Sequence, residues 1–347
     1  MVNDIYNFKL ELKWKHLELL RQIEKFELKW NSFQQRESSS LKQLKTLATI
    51  QSTGSSTRIE GSKLSNKQVQ ILIENIGISQ FDDRDSQEVI GYYNTLDIIT
   101  KDPTNLRISQ SSIKNLHNVL LKQSLKDQWH KGQHKQHSNA VQASFPDGST
   151  EIIFRTTEPG IATEEAMKSL VKWFNGKDEI NPIIKSASFV YEFLSIHPFQ
   201  DGNGRLSRLL TTLLLLQYGY KWIEYVSFEH EIERKKKKYY QALRNCQAQR
   251  PNENISEWIE FFLSSLLNLT EKLNKKLEIS ASTLTPKQKS VYIFICNNPE
   301  TKVGEILLRT DISRATVKRV ITKLIELDLI EKNGRGAGTN YKMQSGT

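Results

Sequence analysis

Residues 197–208 read His-Pro-Phe-Gln-Asp-Gly-Asn-Gly-Arg-Leu-Ser-Arg, and the side chains gathered there are those of phosphoryl chemistry. His197 is the one group in the run that titrates near neutrality, so it is the natural general base for a hydroxyl attacking phosphorus. Asp201 can hold Mg²⁺, an ion usually bound by one or two carboxylates together with phosphate oxygens and water. Gly202 and Gly204 let the backbone approach a ligand closely. Arg205 and Arg208, three apart, put two guanidinium forks on one helical turn, more than a single phosphate needs. Taken singly, each residue reads as well as an ordinary cap, turn or helix-end histidine. Their convergence favours a site.

Such a site needs two elements. An apolar helix, Ile183 to Ile196, delivers His197 to its end, and a second helix, Leu206 to Tyr218, starts just past the glycines with its first N–H groups turned outward. A helix N-terminus of this kind suits an anion.

The pattern H-x-F-x-D-G-N-G-R-x-x-R, filled at every specified position, resembles the Fic-domain proteins. Ser56-Thr57-Arg58-Ile59-Glu60-Gly61 is similar to the S/T-x-x-x-E-G/N inhibitory helix that some of them carry before the core, so the resemblance spans roughly residues 50–269. It implies a mainly α fold: a helical core with a small β-hairpin flap. It also implies transfer of AMP from ATP to a Ser, Thr or Tyr hydroxyl of a target protein or of the chain itself. His197 would be the base, Asp201 the Mg²⁺ ligand, and Phe199 the anchor of the loop. Gly202, Asn203 and Gly204, with Leu206 and Ser207 in the following turn, would cradle phosphate, and Arg205 and Arg208 would meet the β and γ phosphates. Tyr239, Tyr240 and Gln247 resemble the segment that lines the adenosine pocket; stacking on adenine and packing within the core are both open to the tyrosines.

Glu60 is where resemblance and electrostatics meet. A carboxylate aimed at Arg208, with Ser56 beside it, neutralises the guanidinium that the γ-phosphate needs and repels the triphosphate. Autoinhibition follows, and the resemblance leaves AMP removal by the same glutamate open. The flap is expected where Ala140–Phe145 and Thr150–Phe154 flank Pro146-Asp147-Gly148-Ser149, with Asn139, Ala140 and Val141 on its substrate-facing edge. Gly132-Gln133-His134-Lys135 stands where the family often has G-x-Y/F-R, which puts the anchoring of the flap in question. His130, His134 and His137 lack an acidic base at metalloprotease spacing and read as solvated residues.

Along the chain, Phe8 to about Ala48 reads as long amphipathic helices. The segment Ile50–Thr57, rich in small polar residues, breaks that pattern, leaving Arg58–Gly61 as a single turn within an inhibitory helix over about 52–64. The resulting division is a helical region over 1–110, a catalytic core over 111–275, a linker near Ala281–Pro286 and a tail over 281–347. The tail resembles a winged helix-turn-helix module: helices at Lys287–Asn297 and Val303–Arg309, a third opened by Ser313 and running to Leu327, and wing strands around residues 334–338. Lys318, Arg319 and Lys323 on the third helix suit DNA phosphates, and such modules also serve protein contacts.

The 347 residues carry 49 Lys and Arg against 39 Asp and Glu, a net +10, of which 281–347 holds +5 (eleven basic, six acidic). That excess admits a second class of function, a DNA-binding regulator that senses ATP without turning it over. The apolar runs are too short to span a membrane. The first residues have no signal-peptide pattern, so the expected location is cytoplasmic. Two cysteines give no disulfide or zinc framework. Family likeness allows a homodimer.

Overall fold

Ile183 to Ile196 is a stretch of mostly apolar or small side chains, and every one of them is buried in the folded chain. The computed structural model of the chain describes residues 2–34, 38–76, 83–144, 150–177, 179–282, 284–298, 300–327, 329–334 and 336–343. In chain order the elements are β1 (Val2–Ile5), β2 (Phe8–Glu11), α1 (Trp14–Gln34), α2 (Ser38–Ile59), α3 (Asn66–Glu74), α4 (Arg84–Lys101) and α5 (Gln110–Leu120). Next come β3 (Ala140–Ser144), β4 (Thr150–Arg155), α6 (Ile161–Phe174), α7 (Pro182–Ile196), α8 (Asn203–Gln217), α9 (Phe228–Arg234), α10 (Lys236–Gln247) and α11 (Ser256–Ser282). The last are α12 (Pro286–Asn297), α13 (Val303–Arg309), α14 (Arg314–Glu326), β5 (Ile330–Asn333) and β6 (Asn340–Met343). Among the described residues the named strands form antiparallel hairpins, β1 with β2, β3 with β4 and β5 with β6.

Residues 1–27 and 48–270 form one compact unit. Its centre is α7, on which every side chain from Ile183 to Ile196 is buried, packed along α8, whose Leu206, Leu209, Leu210 and Leu213 are buried as well. Asn181 opens α7, accepting from the Ile183 and Ile184 amides, and Pro182 follows at a position where its missing N–H has no helical partner to lose. Residues 28–47 and 271–347 form the second unit. Its core joins Val291, Tyr292 and Ile295 of α12, Ile306 of α13, Val317, Val320, Ile321 and Leu324 of α14, and Ile330 and Tyr341 of the last hairpin.

Three expectations change. Residues 8–11, expected to open a helix, are instead the second strand of a hairpin with residues 2–5: Phe8 and Leu10 alternate inward, and the Lys9 backbone exchanges hydrogen bonds with Glu253 and Ile255. Residues 50–57 do not break a helix, because α2 runs unbroken to Ile59. Thr53 Oγ1 donates to the Thr49 carbonyl at 2.8 Å and Thr57 Oγ1 to the Gly54 carbonyl at 3.0 Å, so the small hydroxyls satisfy themselves locally and bury. Finally, α11 continues through Ala281 to Ser282, which shortens the linker to the residues before Thr285, the cap of α12.

Candidate functional site

The chain leaves α7 abruptly. A residue before proline avoids the right-handed helical region, and His197, followed by Pro198, adopts φ 53° and ψ 60°, the left-handed region that costs a non-glycine residue roughly 1–3 kcal/mol and gathers at functional sites. Its Nδ1 donates to the Leu194 carbonyl at 3.3 Å, leaving Nε2 as the acceptor. Burial pushes the imidazole down to about 4, so it is neutral at neutral pH.

The loop behind it is clamped by Asn203, whose Oδ1 accepts from the Phe199 amide at 2.9 Å and whose Nδ2 donates to the Phe199 carbonyl at 2.7 Å. Phe199 is fully buried and stacks on His117, centroids 3.8 Å apart. His117 Nδ1 accepts from the Gly132 amide, which leaves Nε2 to donate to the Asp201 carbonyl at 2.9 Å. Gly202 sits at φ 82°, and α8 starts at the next residue with its unbonded amides facing the loop.

Both arginines are buried and partnered by acids. Arg208 Nη2 donates to Glu60 Oε1 at 2.8 Å and to the Ser56 carbonyl at 3.0 Å, and its Nε donates to Ser56 Oγ at 2.8 Å. Burial pushes the Glu60 carboxyl up, but the Arg208 and Arg205 guanidinium groups outweigh it and hold it below its ordinary value. Gly204 makes the approach feasible, since a Cβ there would stand 2.5 Å from Glu60 Oε1. Arg205 lies 3.2 Å from Asp201 Oδ1 and 3.4 Å from the buried Glu88.

These groups surround a cavity of about 250 Å³ lined by Glu60, His197, Asp201 to Arg205, Arg208, Tyr239, Tyr240 and Gln247. Leu194, Gln200, Leu243 and Arg244 complete the wall. Arg244 follows Tyr240 by one turn of α10 and Leu194 precedes His197 by one of α7, the periodicity by which they could have been found. Leu206 and Ser207, expected in the nucleotide set, do not line the cavity: Leu206 is core, and Ser207 Oγ donates to the Gly204 carbonyl. Tyr239 serves two neighbours, tilted against Trp258 at 5.5 Å while lining the wall. Gln247 Nε2 donates to Ser195 Oγ at 3.0 Å.

Asp201 Oδ2 accepts from Lys126 Nζ at 2.9 Å with 38% of the side chain exposed. Burial pushes its carboxyl up, and Arg205 and Lys126 draw it well below the carboxylate range. Among the described residues no group of three or more His, Cys, Asp or Glu could hold a metal. An ion here would rest on this one carboxylate and on ligand oxygens, a donor set that fits Mg²⁺.

The flap is present as β3 and β4, with Ala140 opposite Arg155 and Val141 opposite Phe154, and the turn 146–149 lies outside the described residues. Asn139, just before β3, ties the hairpin to the loop: its Nδ2 donates to the Phe199 carbonyl at 3.0 Å. Lys135 answers the question of anchoring. Its buried Nζ donates to Asn139 Oδ1 at 2.9 Å, Thr156 Oγ1 at 2.7 Å and the Ile196 carbonyl at 3.1 Å. His130 and His134, expected in solvent, are buried, His130 against Asp127 and His134 against the Phe199 ring.

The Fic/DOC family model matches residues 107–215. A protein adenylyltransferase Fic of Drosophila persimilis is 26% identical over 191 residues, 53% of this chain and 34% of its own. Protein adenylyltransferase fic-1 of Caenorhabditis elegans is 40% identical over 58 residues, 16% of this chain and 11% of its own. The chain thus spans well under half the length of both relatives. A Fic family protein of Desulfovibrio desulfuricans matches the fold with a TM-score of 0.64 at 20% identity, covering 97% of this chain and 98% of that one. Among the described residues no helix is long and apolar enough to cross a membrane.

Proposed function

We propose that the chain, which carries a Fic domain over residues 107–215, is a protein adenylyltransferase that moves AMP from ATP to a Ser, Thr or Tyr hydroxyl of a target protein or of itself. The observation that carries this reading is the neutral His197 set at the mouth of the α8 N-terminus, with Arg208 across the same cavity. Nε2 takes the hydroxyl proton, the oxygen bonds to the α-phosphorus, and the α–β bridging bond breaks to release pyrophosphate. The α8 amides and Arg208 hold the phosphates while charge develops on them. Mg²⁺ carried on Asp201 would neutralise phosphate charge.

Glu60 occupies the Arg208 fork, which supports autoinhibition: a γ-phosphate has to displace a carboxylate already 2.8 Å away. The same ionised carboxylate is suited to hold a water for AMP removal. Intact-mass measurement after incubation with ATP and Mg²⁺ tests the inhibition and the base. Glu60→Gly is expected to raise incorporated AMP at least about tenfold, about 1.4 kcal/mol. His197→Ala is expected to lower transfer by roughly 10²–10⁴ while still binding ATP. Equal labelling by His197→Ala and the unchanged chain would refute the base.

The ATP-sensing regulator is not favoured, because a sensor needs the cradle but no base and the relatives bear an adenylyltransferase name. For the second unit we infer a contact with DNA phosphates. In support, α14 buries Val317, Val320, Ile321 and Leu324 and leaves Arg314, Lys318, Arg319 and Lys323 exposed.

A further inference from the structure

We propose that Arg58, Glu233 and Lys236 form a clasp on the end of α2 that positions Glu60 against Arg208. This rests on the autoinhibited transferase reading and names the residues that set its inhibited state.

Glu60 lies just past the last residue of α2, in a turn where the Glu60 amide bonds to the Thr57 carbonyl at 3.1 Å and Ser62 to the same carbonyl at 3.1 Å. A helix end leaves carbonyls without partners, and a one-turn extension would swing Glu60 away from the cavity unless something fixes it. Residues two apart on a helix point to nearly opposite sides. While Glu60 reaches Arg208, Arg58 therefore reaches the other way, to α9. Its Nε donates to Glu233 Oε1 at 2.7 Å and its Nη2 to Glu233 Oε2 at 3.1 Å, a two-pronged fork on one carboxylate. Nη2 also reaches Ser55 Oγ at 3.1 Å, and Nη1 donates to the Leu64 carbonyl at 3.0 Å, on the far side of the turn. One guanidinium thus ties together α2, the chain that follows it, and α9.

Two further observations point the same way. Lys236 Nζ donates to the Ile59 carbonyl at 2.7 Å, a cation on the last carbonyl of α2, where the helix dipole is negative. Gly54 lies one turn back from Arg58, and a Cβ there would stand 2.7 Å from Nη1, so the glycine leaves the guanidinium its place. Glu233 and Lys236 flank the α9–α10 junction, and α10 brings Tyr239 and Tyr240 to the cavity one turn later. The same junction fixes the inhibitory turn and one wall of the nucleotide cavity. None of the three clasp residues lines that cavity, so they act through Glu60 and are positioning residues.

Glu233→Ala, the same change in a Glu60→Gly chain, and the milder Glu233→Gln decide the matter, each read by amide hydrogen exchange and by intact mass after ATP and Mg²⁺. Glu233→Ala is expected to speed exchange at residues 57–62 at least tenfold while the α7 amides keep their protection, and to raise AMP incorporation at least threefold, short of Glu60→Gly. Glu233→Gln, which keeps the shape and loses the charge, is expected to fall between. In the Glu60→Gly chain, Glu233→Ala should add nothing. Unchanged exchange at 57–62 in Glu233→Ala overturns the clasp. So does a further gain in the double variant, since α9 would then act on the cavity directly. A Glu60→Gly chain that transfers no AMP overturns the functional reading instead, and the exchange measurement still decides whether the clasp holds the turn.

Discussion

His117, His134 and His197 share a consequence of burial: each is pushed down to about 4, against an ordinary value near 6.5. The unfolded chain therefore takes up protons below about pH 6.5 that the folded chain refuses until about pH 4. Folding stability should be complete above pH 6.5 and decline through that window as pH falls. His117 and His134, both nearly inaccessible, each contribute a slope of up to about 1.4 kcal/mol per pH unit, so urea titrations should lose roughly 2–3 kcal/mol between pH 6.5 and 5. Asp201 and Glu233, drawn down by their cationic and hydrogen-bonding partners, add their loss only below about pH 4. A flat profile from pH 7 to 5 would refute the buried neutral state of these rings. The burial of His134 was not legible beforehand, nor that of its neighbour His130, because their spacing says nothing of the Phe199 ring and the Asp127 carboxylate that receive them.

The elements around the site carry the same lesson at a larger size. Asn203 reads as one letter of a motif, yet its work is to join the end of α7 to the start of α8 through the Phe199 backbone. Asn203→Ala removes both bonds, but the Phe199 carbonyl keeps Asn139 Nδ2 at 3.0 Å, so one buried amide alone is orphaned. A loss of about 1–3 kcal/mol in denaturant unfolding is expected, together with weakened ATP binding; a change below about 0.5 kcal/mol would show that the clamp is idle. The helices α7 and α8 were readable from apolar periodicity, and the motif between them from residue type. Glu60 against Arg208 was readable because a motif marks each end; what escaped were the distant partners that no motif announces: Lys126 on Asp201, Glu88 on Arg205, Glu233 on Arg58. The continuity of α2 escaped for another reason. Propensity marks Ser and Thr as breakers when their hydroxyls compete for backbone, whereas here they bond one turn back and the helix survives.

Across the whole molecule the charge is divided far more unevenly than the net +10 suggests. Residues 28–47 and 271–347 hold 18 Lys and Arg against 9 Asp and Glu, leaving 31 against 30 for residues 1–27 and 48–270. The unit with the cavity is thus nearly neutral, and the second unit is a +9 body whose α14 exposes a basic stripe. A polyanion bound there should displace counterions in proportion to the phosphates neutralised, giving a slope of log affinity on log salt of about −0.9 per contact. Engaging Arg314, Lys318, Arg319 and Lys323 predicts a slope of about −3.6 for the full chain on duplex DNA. Lys318→Ala with Arg319→Ala should reduce it by about 1.8 and leave the thermal transition in place, because both side chains are exposed. DNA binding absent at 50 mM salt, or a slope that the double substitution does not move, would exclude α14 as the interface and leave the excess charge to a protein partner.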